Sequence, residues 1–536
     1  MTTIGDDTFI PRFARCTHSL NTLRMSTITL RQWPLRLGLS VLAWSLCASP
    51  VWPQAQALPS LGEGEGITLA AERQLGDRII RELYRDPDYL EDPVLDEYIQ
   101  KLWTPLVNAA AARGDLSPEL RERFAWRILL GKDRSINAFA LPGGYLGVHL
   151  GLIAAVTSRD ELASVLAHEL SHVTQRHIAR QMEAQGRMTP LVIGSLILGA
   201  LAASKNPQGT QALIVGGQAA ALQSQLSYSR DMEREADRVG FGVLSEAGYD
   251  PRGFVALFGK LQQAAGLNDN GAFPYLRTHP LTTERIADMQ SRLPLTAATG
   301  VPSQDMELAM MSARARVLSQ SQVDNLQAWV RLPQNLPAQA TAAQRAGSLY
   351  AAALSHMLLR EPEAARQQWL RLQTLTAQDP VAARLSRLLG AELQASRGEY
   401  AALLQGLQPS VVTSRWPRPE MMAMAQALVH LPNHPSMPAV LQQLRWLVQD
   451  TAYDGQAWQV LAGLLNARGQ ALPALRAEGE AQLVRMDLAG ALDRFRAAQD
   501  VARRGPLQAG EHIEASIVDS RINMIQAQLR EMQKER

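Results

Sequence analysis

The sequence predicts an α+β, mostly helical protein: a front half with a small β-sheet, followed by an all-α solenoid of tetratricopeptide-like repeats. Strand-like runs are confined to residues 124–148. Elsewhere in the front half, apolar residues recur at helical spacing. Beyond Val301 strand signals fade, and helix pairs begin near Arg345, Val381, Glu420 and Gly455, at spacings of 36, 39 and 35 residues. Those spacings lie close to the roughly 34-residue tetratricopeptide period, with a generic helical bundle as the alternative. A chain of 536 residues has room for two to four domains, at roughly 100–200 residues each.

Residues 1–57 read as a leader and signal peptide. Arg31 and Arg36 precede the apolar run Leu37–Ala48, and Ala55-Gln56-Ala57 supplies small residues for cleavage after Ala57. Both cysteines, Cys16 and Cys47, fall in that leader, so the mature chain offers neither a disulfide framework nor a thiolate metal site. Any metal must be held by histidine and carboxylate. The charge balance of 53 basic against 51 acidic residues gives no basic footprint for a nucleic acid, and none is expected as a partner.

A front domain is expected over residues 58–300. It opens with helices over Ala70–Tyr84 and Val94–Ala110, then strands Phe124–Leu130 and Ile136–Ala140 around a turn at Gly131–Arg134. Leu141-Pro142-Gly143-Gly144 makes the next turn, Tyr145–Val148 a third strand, and a single long helix is expected over Arg159–Met182. The uncharged run Leu191–Ala203 is too short to span a bilayer, which needs about 20 residues. It fits a buried segment beside the site or a peripheral membrane contact.

The chemistry is expected at His168-Glu169-Leu170-Ser171-His172. Residues four apart share a helix face, so His168 and His172 can converge on one zinc ion while Glu169 reaches a water at the metal, the zincin arrangement. His177 is out of register for a metzincin continuation and reads as a packing or surface residue. The third ligand is sought in Ser229–Asp237. Glu233 and Asp237 share a face with Ala236 and Gly240, whereas Glu235 is turned about 200° away. Glu233 is therefore the expected ligand, Asp237 the acceptor that fixes a histidine tautomer, and Glu235 a solvated or salt-bridged residue.

Asn137–Gly144, His168–His172 and Ser229-Arg230 with Glu233 and Asp237 together resemble family forty-eight of the metallopeptidases, of CAAX prenyl protease and HtpX type, over roughly residues 65–290. The resemblance implies a zinc endopeptidase with Glu233 as third ligand and Asp237 in support. It also implies that His279, in Thr278-His279-Pro280, stands near the metal, either stabilising an oxyanion or closing the open zinc position in a latent form. Asn137 and Ala138 would form a sheet edge that holds substrate by main-chain hydrogen bonds. His149 is left as structural. The expected chemistry is one zinc polarising the scissile carbonyl and acidifying its water, with Glu169 as general base.

Residues 301–536 are expected to form the repeat domain, a binding scaffold without catalytic residues. A chain ending near Gly300 is expected to fold, since repeats contact mainly their neighbours. For an exported, repeat-bearing member of that family, the resemblance implies a periplasmic role in quality control and assembly of outer-membrane β-barrel proteins. Unfolded or stalled barrel proteins and their assembly machinery would be captured on the repeats. The alternative is chiefly a chaperone or adaptor with a latent protease site.

Overall fold

In the computed structural model, residues 67–184, 228–265, 274–293, 305–407, 415–507 and 510–534 are described. The leader, its cleavage after Ala57 and the run 191–203 lie outside the described residues. Helix α1 (Leu69–Leu83) starts at the Thr68 cap and buries the stripe Leu75, Ile79 and Ile80. The short β1 (Tyr89–Leu90) leads to α2 (Pro93–Arg113), where the Asp92 carboxylate accepts from the backbone N–H groups of Val94 and Leu95 and Pro93 takes the first position. Such capping satisfies donors that a helix start leaves unpaired.

After α3 (Pro118–Arg123) come β2 (Arg127–Gly131), β3 (Ala138–Leu141) and β4 (Tyr145–His149). The sheet order is β1-β2-β4-β3. The turn at Gly131–Arg134 therefore closes no hairpin, because β4 inserts parallel to β2 and antiparallel to β3. Gly143 and Gly144 make the β3–β4 turn at φ of 77° and 83°, a region open to glycine at little steric cost. Among the described residues, strand β3 is left on an edge of the sheet.

Helix α4 (Leu150–Ala155) precedes α5 (Arg159–Thr174), which is capped by Ser158 and buried along nearly its whole length. The long helix expected over 159–182 is broken. Arg176 sits at φ 51°, and a separate α6 (His177–Ala184) follows. Then come α7 (Arg230–Glu246), α8 (Arg252–Ala265), α9 (Pro274–Thr278) and α10 (Thr283–Arg292).

The rest is a helical solenoid. Helices α11 (Met306–Ser319) and α12 (Val323–Asn335) precede the first pair seen in the sequence. The pairs that follow are α13 (Ala342–Leu358) with α14 (Pro362–Thr376), and α15 (Pro380–Ser396) with α16 (Tyr400–Leu407). Next are α17 (Arg418–Val429) with α18 (Met437–Asp450), α19 (Gly455–Ala467) with α20 (Ala471–Val484), and α21 (Leu488–Arg503) with α22 (Glu511–Lys534). Glycine allows the tight crossings: a Cβ on Gly479 would lie 2.7 Å from the Phe495 ring.

One apolar core runs from Val94 in α2 through Leu166 in α5 to Met311 in α11 and Ala481 in α20, and Gly64–Arg536 forms one compact unit. Four arginines spread along the solenoid also reach the acidic head of α2. Arg314 in α11 pairs with Asp92 at 2.7 Å, and both side chains are buried. Arg384 pairs with Glu97 at 2.5 Å, Arg418 approaches Asp96 at 3.5 Å, and Arg485 pairs with Glu91 at 2.8 Å. This shared core and charged seam run counter to independent folding of a chain cut near Gly300. No helix among the described residues is long and apolar enough to cross a membrane.

Candidate active site

Helices α5 and α7 build the site by packing against each other. Gly240 permits the approach, since a Cβ there would stand 3.2 Å from the backbone of Ala167 and His168. One and two turns earlier on the same face of α7 are Asp237 and Glu233, both buried. His168, His172, Glu233 and His279 each direct a donor atom inward, all within 4.8 Å of one another. His168 Nε2 lies 3.0 Å from His172 Nε2. Glu233 brings Oε2 to 3.5 Å from His168 Nε2 and Oε1 to 3.4 Å from His172 Nε2.

His279 arrives from the turn after α9. Its Nδ1 lies 2.9 Å from Glu233 Oε1 and 3.3 Å from His168 Nε2, while its Nε2 is 3.5 Å from Glu169 Oε1. Tyr275 stacks on the His279 ring and Tyr228 on the His172 ring. Glu169 is fully buried, and neither carboxylate oxygen has a hydrogen bond. A carboxylate stripped of water, with the His279 imidazole no nearer than 3.5 Å, is costly to bury. The chemistry of this donor set, imidazole nitrogens and a carboxylate beside a second buried carboxylate, fits a divalent cation such as zinc.

The electrostatics follow the same geometry. Burial raises the pKa of Glu169 and holds that of His172 well below its usual value. Burial alone would raise Glu233 too, but the charge of His279 and hydrogen bonds from the histidines keep it well below the ordinary range. His168, despite burial, is pushed up to about 9 by Asp237 and Glu233. Asp237 Oδ1 stands 3.0 Å from His168 Nδ1.

Arg285 of α10, absent from the sequence-based set, secures this side. It gives Nε to Asp237 Oδ2 at 2.6 Å and Nη2 to Oδ1 at 2.8 Å, and its Nη1 lies 2.7 Å from Glu233 Oε2. Such a fork matches a carboxylate in two places at once. His177, read as packing or surface, is fully buried against the site. Its Nδ1 is 2.9 Å from His172 Nδ1 and its Nε2 is 3.0 Å from Glu235 Oε2. Glu235, partly exposed, is salt-bridged as expected, to Arg180 at 2.8 Å.

Asn137 and Ala138 stand where β3 begins, and both side chains are buried. The Asn137 carbonyl accepts from the His149 N–H at 3.0 Å, and Ala138 pairs with Val148 of β4. Among the described residues the other edge of β3 has no partner strand. His149 Nδ1 lies 2.9 Å from Ser135 Oγ, away from the metal-type cluster.

Residues 98–293 match the family model of peptidase family M48. That segment is similar to the M48 peptidases. Among curated proteins, the chain is 36% identical to the beta-barrel assembly-enhancing protease of Escherichia coli strain K12 over 244 residues, 44% of this chain and 47% of that protein. A Vibrio cholerae protein to which the same name is provisionally attached is 38% identical over 268 residues, 49% and 52% of the two chains. The mitochondrial metalloendopeptidase OMA1 of Arabidopsis thaliana is 32% identical over 198 residues, 36% of each chain. The chain spans about half the length of the two bacterial relatives it matches. The M48 match covers the whole candidate cluster, from α5 to Arg285.

Proposed function

We propose that the protein is a zinc-dependent endopeptidase of the periplasm that acts in quality control and assembly of outer-membrane β-barrel proteins. The observation that carries the reading is the buried convergence of His168, His172 and Glu233 beside the buried Glu169 carboxylate. One zinc per chain would be held by His168 Nε2, His172 Nε2 and a Glu233 oxygen. Bound there, zinc supplies Lewis-acid polarisation of the scissile carbonyl and lowers the pKa of water. Glu169 takes a proton at a carboxylate oxygen from the attacking water and delivers it to the leaving amine. Its raised pKa suits both halves of that exchange.

Asp237, steered by Arg285, holds the ring of His168 by its Nδ1. The open edge of β3, at Asn137 and Ala138, receives the substrate as an added strand. Substrate preference then rests on main chain, which suits unfolded clients. The names of the bacterial relatives support β-barrel assembly as the setting. The organisation that accompanies this reading is a leader over 1–57, a peptidase domain over 58–300 and tetratricopeptide-like repeats over 301–536, the repeats taking up unfolded barrel proteins and their assembly machinery.

A second reading has a specific observation behind it. His279 brings a fourth protein donor to the cluster, and four protein ligands describe a closed zinc site. In this form the protease is latent, the repeats act as an adaptor surface, and cleavage begins when His279 withdraws. The test is metal content together with cleavage of an unfolded outer-membrane β-barrel protein. About one zinc per chain is expected, with cleavage lost on chelation and restored by zinc. Cleavage that persists without metal overturns the proposal.

A further inference from the structure

His172 and His168 meet different surroundings at the nitrogen turned away from the cluster. His168 Nδ1 faces the Asp237 carboxylate at 3.0 Å. His172 Nδ1 faces another imidazole, His177 Nδ1, at 2.9 Å. Two ring nitrogens at that distance must share one hydrogen, so one donates and the other accepts. The Nε2 of His172 points at His168 Nε2, and as a ligand it must keep its lone pair there. The hydrogen of His172 is then on Nδ1, and His177 accepts it. His177 in turn carries its own hydrogen on Nε2, which it donates to Glu235 Oε2 at 3.0 Å.

We propose that His177 and Glu235 form a relay that fixes the tautomer and ring orientation of His172, so that a buried metal ligand is anchored to a carboxylate at the protein surface. The proposal rests on the reading of His172 as a ligand. Local backbone geometry supports it. On a continuous helix a residue five places after His172 would be turned about 140° away from it. The chain instead breaks at Arg176, a non-glycine residue at φ 51°, a strained conformation that persists only where its surroundings hold it. Arg176 is held there by Glu72 at 2.9 Å. The break folds His177 back beneath His172, fully buried and with both ring nitrogens engaged.

Packing alone would ask only for a side chain of similar bulk. The relay asks for an acceptor toward His172 and a donor toward Glu235, which a glutamine amide also offers and leucine does not. Outer partners of this kind typically change metal affinity by about 10–100-fold.

The experiment measures zinc affinity of the full chain by chelator competition, with 15N-imidazole shifts reporting the His172 tautomer. His177→Leu should weaken zinc binding by about 10–100-fold and mix the tautomers. His177→Gln should recover most of the affinity and the single tautomer. Glu235→Ala, changed at a partly exposed position, should weaken binding several-fold even if His177→Leu fails to fold. Unchanged affinity in His177→Leu or Glu235→Ala overturns the relay, as does an equal loss in the Leu and Gln variants. A wild-type chain that binds no zinc defeats the ligand reading itself, so the two failures are distinguishable.

Discussion

Replacing Arg314 with methionine would remove the centre of the seam between α2 and the solenoid. Arg314 Nε lies 3.0 and 2.9 Å from the two oxygens of Asp92, and its Nη2 lies 2.7 Å from Oδ2. Its Nη1 gives to the Tyr350 hydroxyl at 3.0 Å and to Glu392 at 3.2 Å. Only about 7% of its side chain is exposed, against 6% for Asp92, so water cannot replace the lost partner. Breaking such a pair from one side costs about 3–5 kcal/mol. The other three seam arginines are about a quarter exposed and should each be worth about 1 kcal/mol or less.

Urea unfolding followed by circular dichroism should therefore show a loss of about 3–5 kcal/mol for Arg314→Met and about 1 kcal/mol or less for Arg384→Met. Asp92→Asn keeps a side-chain oxygen to cap α2 while removing the charge. The double variant Asp92→Asn/Arg314→Met should then recover a large part of the loss, because the buried carboxylate of Asp92 is gone and Glu392, 31% exposed, keeps access to water. A loss under about 1 kcal/mol in Arg314→Met, or a double variant no better than the single, would refute the reasoning.

Other outcomes follow from the same geometry. His168→Ala, His172→Ala and Glu233→Ala should each lose stoichiometric zinc by elemental analysis, while Glu235→Ala, though weaker, should retain it at saturating metal; the reverse pattern for the two glutamates refutes the ligand assignment. His279→Ala should cleave faster than wild type if His279 closes the zinc position; slower cleavage points to an oxyanion role and unchanged rates to a structural one. A chain ending at Gly300 should elute from size exclusion as aggregate, because it strips Arg314 from Asp92 and leaves the α4 carbonyls of Ile153 and Ala154 without their donors Ser312 and Arg316; a monodisperse, zinc-loaded fragment would contradict the shared core. Gly240→Ala should lower stability by about 1–3 kcal/mol and weaken zinc binding, since the methyl group would push α7 from α5.

Much of this was legible because its signals are local. Period four on one helix brings His168 to His172, and the same period on α7 puts Glu233 and Asp237 together and Glu235 aside. The starts of the helix pairs recur in the pattern of proline, glycine and apolar residues, so the onsets near Arg345, Val381, Glu420 and Gly455 lie close to those of α13, α15, α17 and α19.

What escaped the sequence depends on chain reversals and distant partners. Nothing in residues 124–148 states that β4 enters between β2 and β3, since alternation marks a strand and not its neighbour. Arg176 carries no breaker signal, so the spacing extends the helix through it and His177 reads as a packing or surface residue. Arg285 and the four seam arginines are ordinary surface types by composition, and only the fold reveals the buried carboxylates they meet.

The central claim is that Glu169 moves the proton while His168, His172 and Glu233 hold the metal. Its most direct test pairs zinc content with turnover of an unfolded outer-membrane β-barrel protein in wild type and Glu169→Gln. The variant should bind as much zinc as wild type and lose cleavage by about 100-fold or more, the scale of a positioned general base. Wild-type turnover by a zinc-loaded Glu169→Gln chain would contradict it.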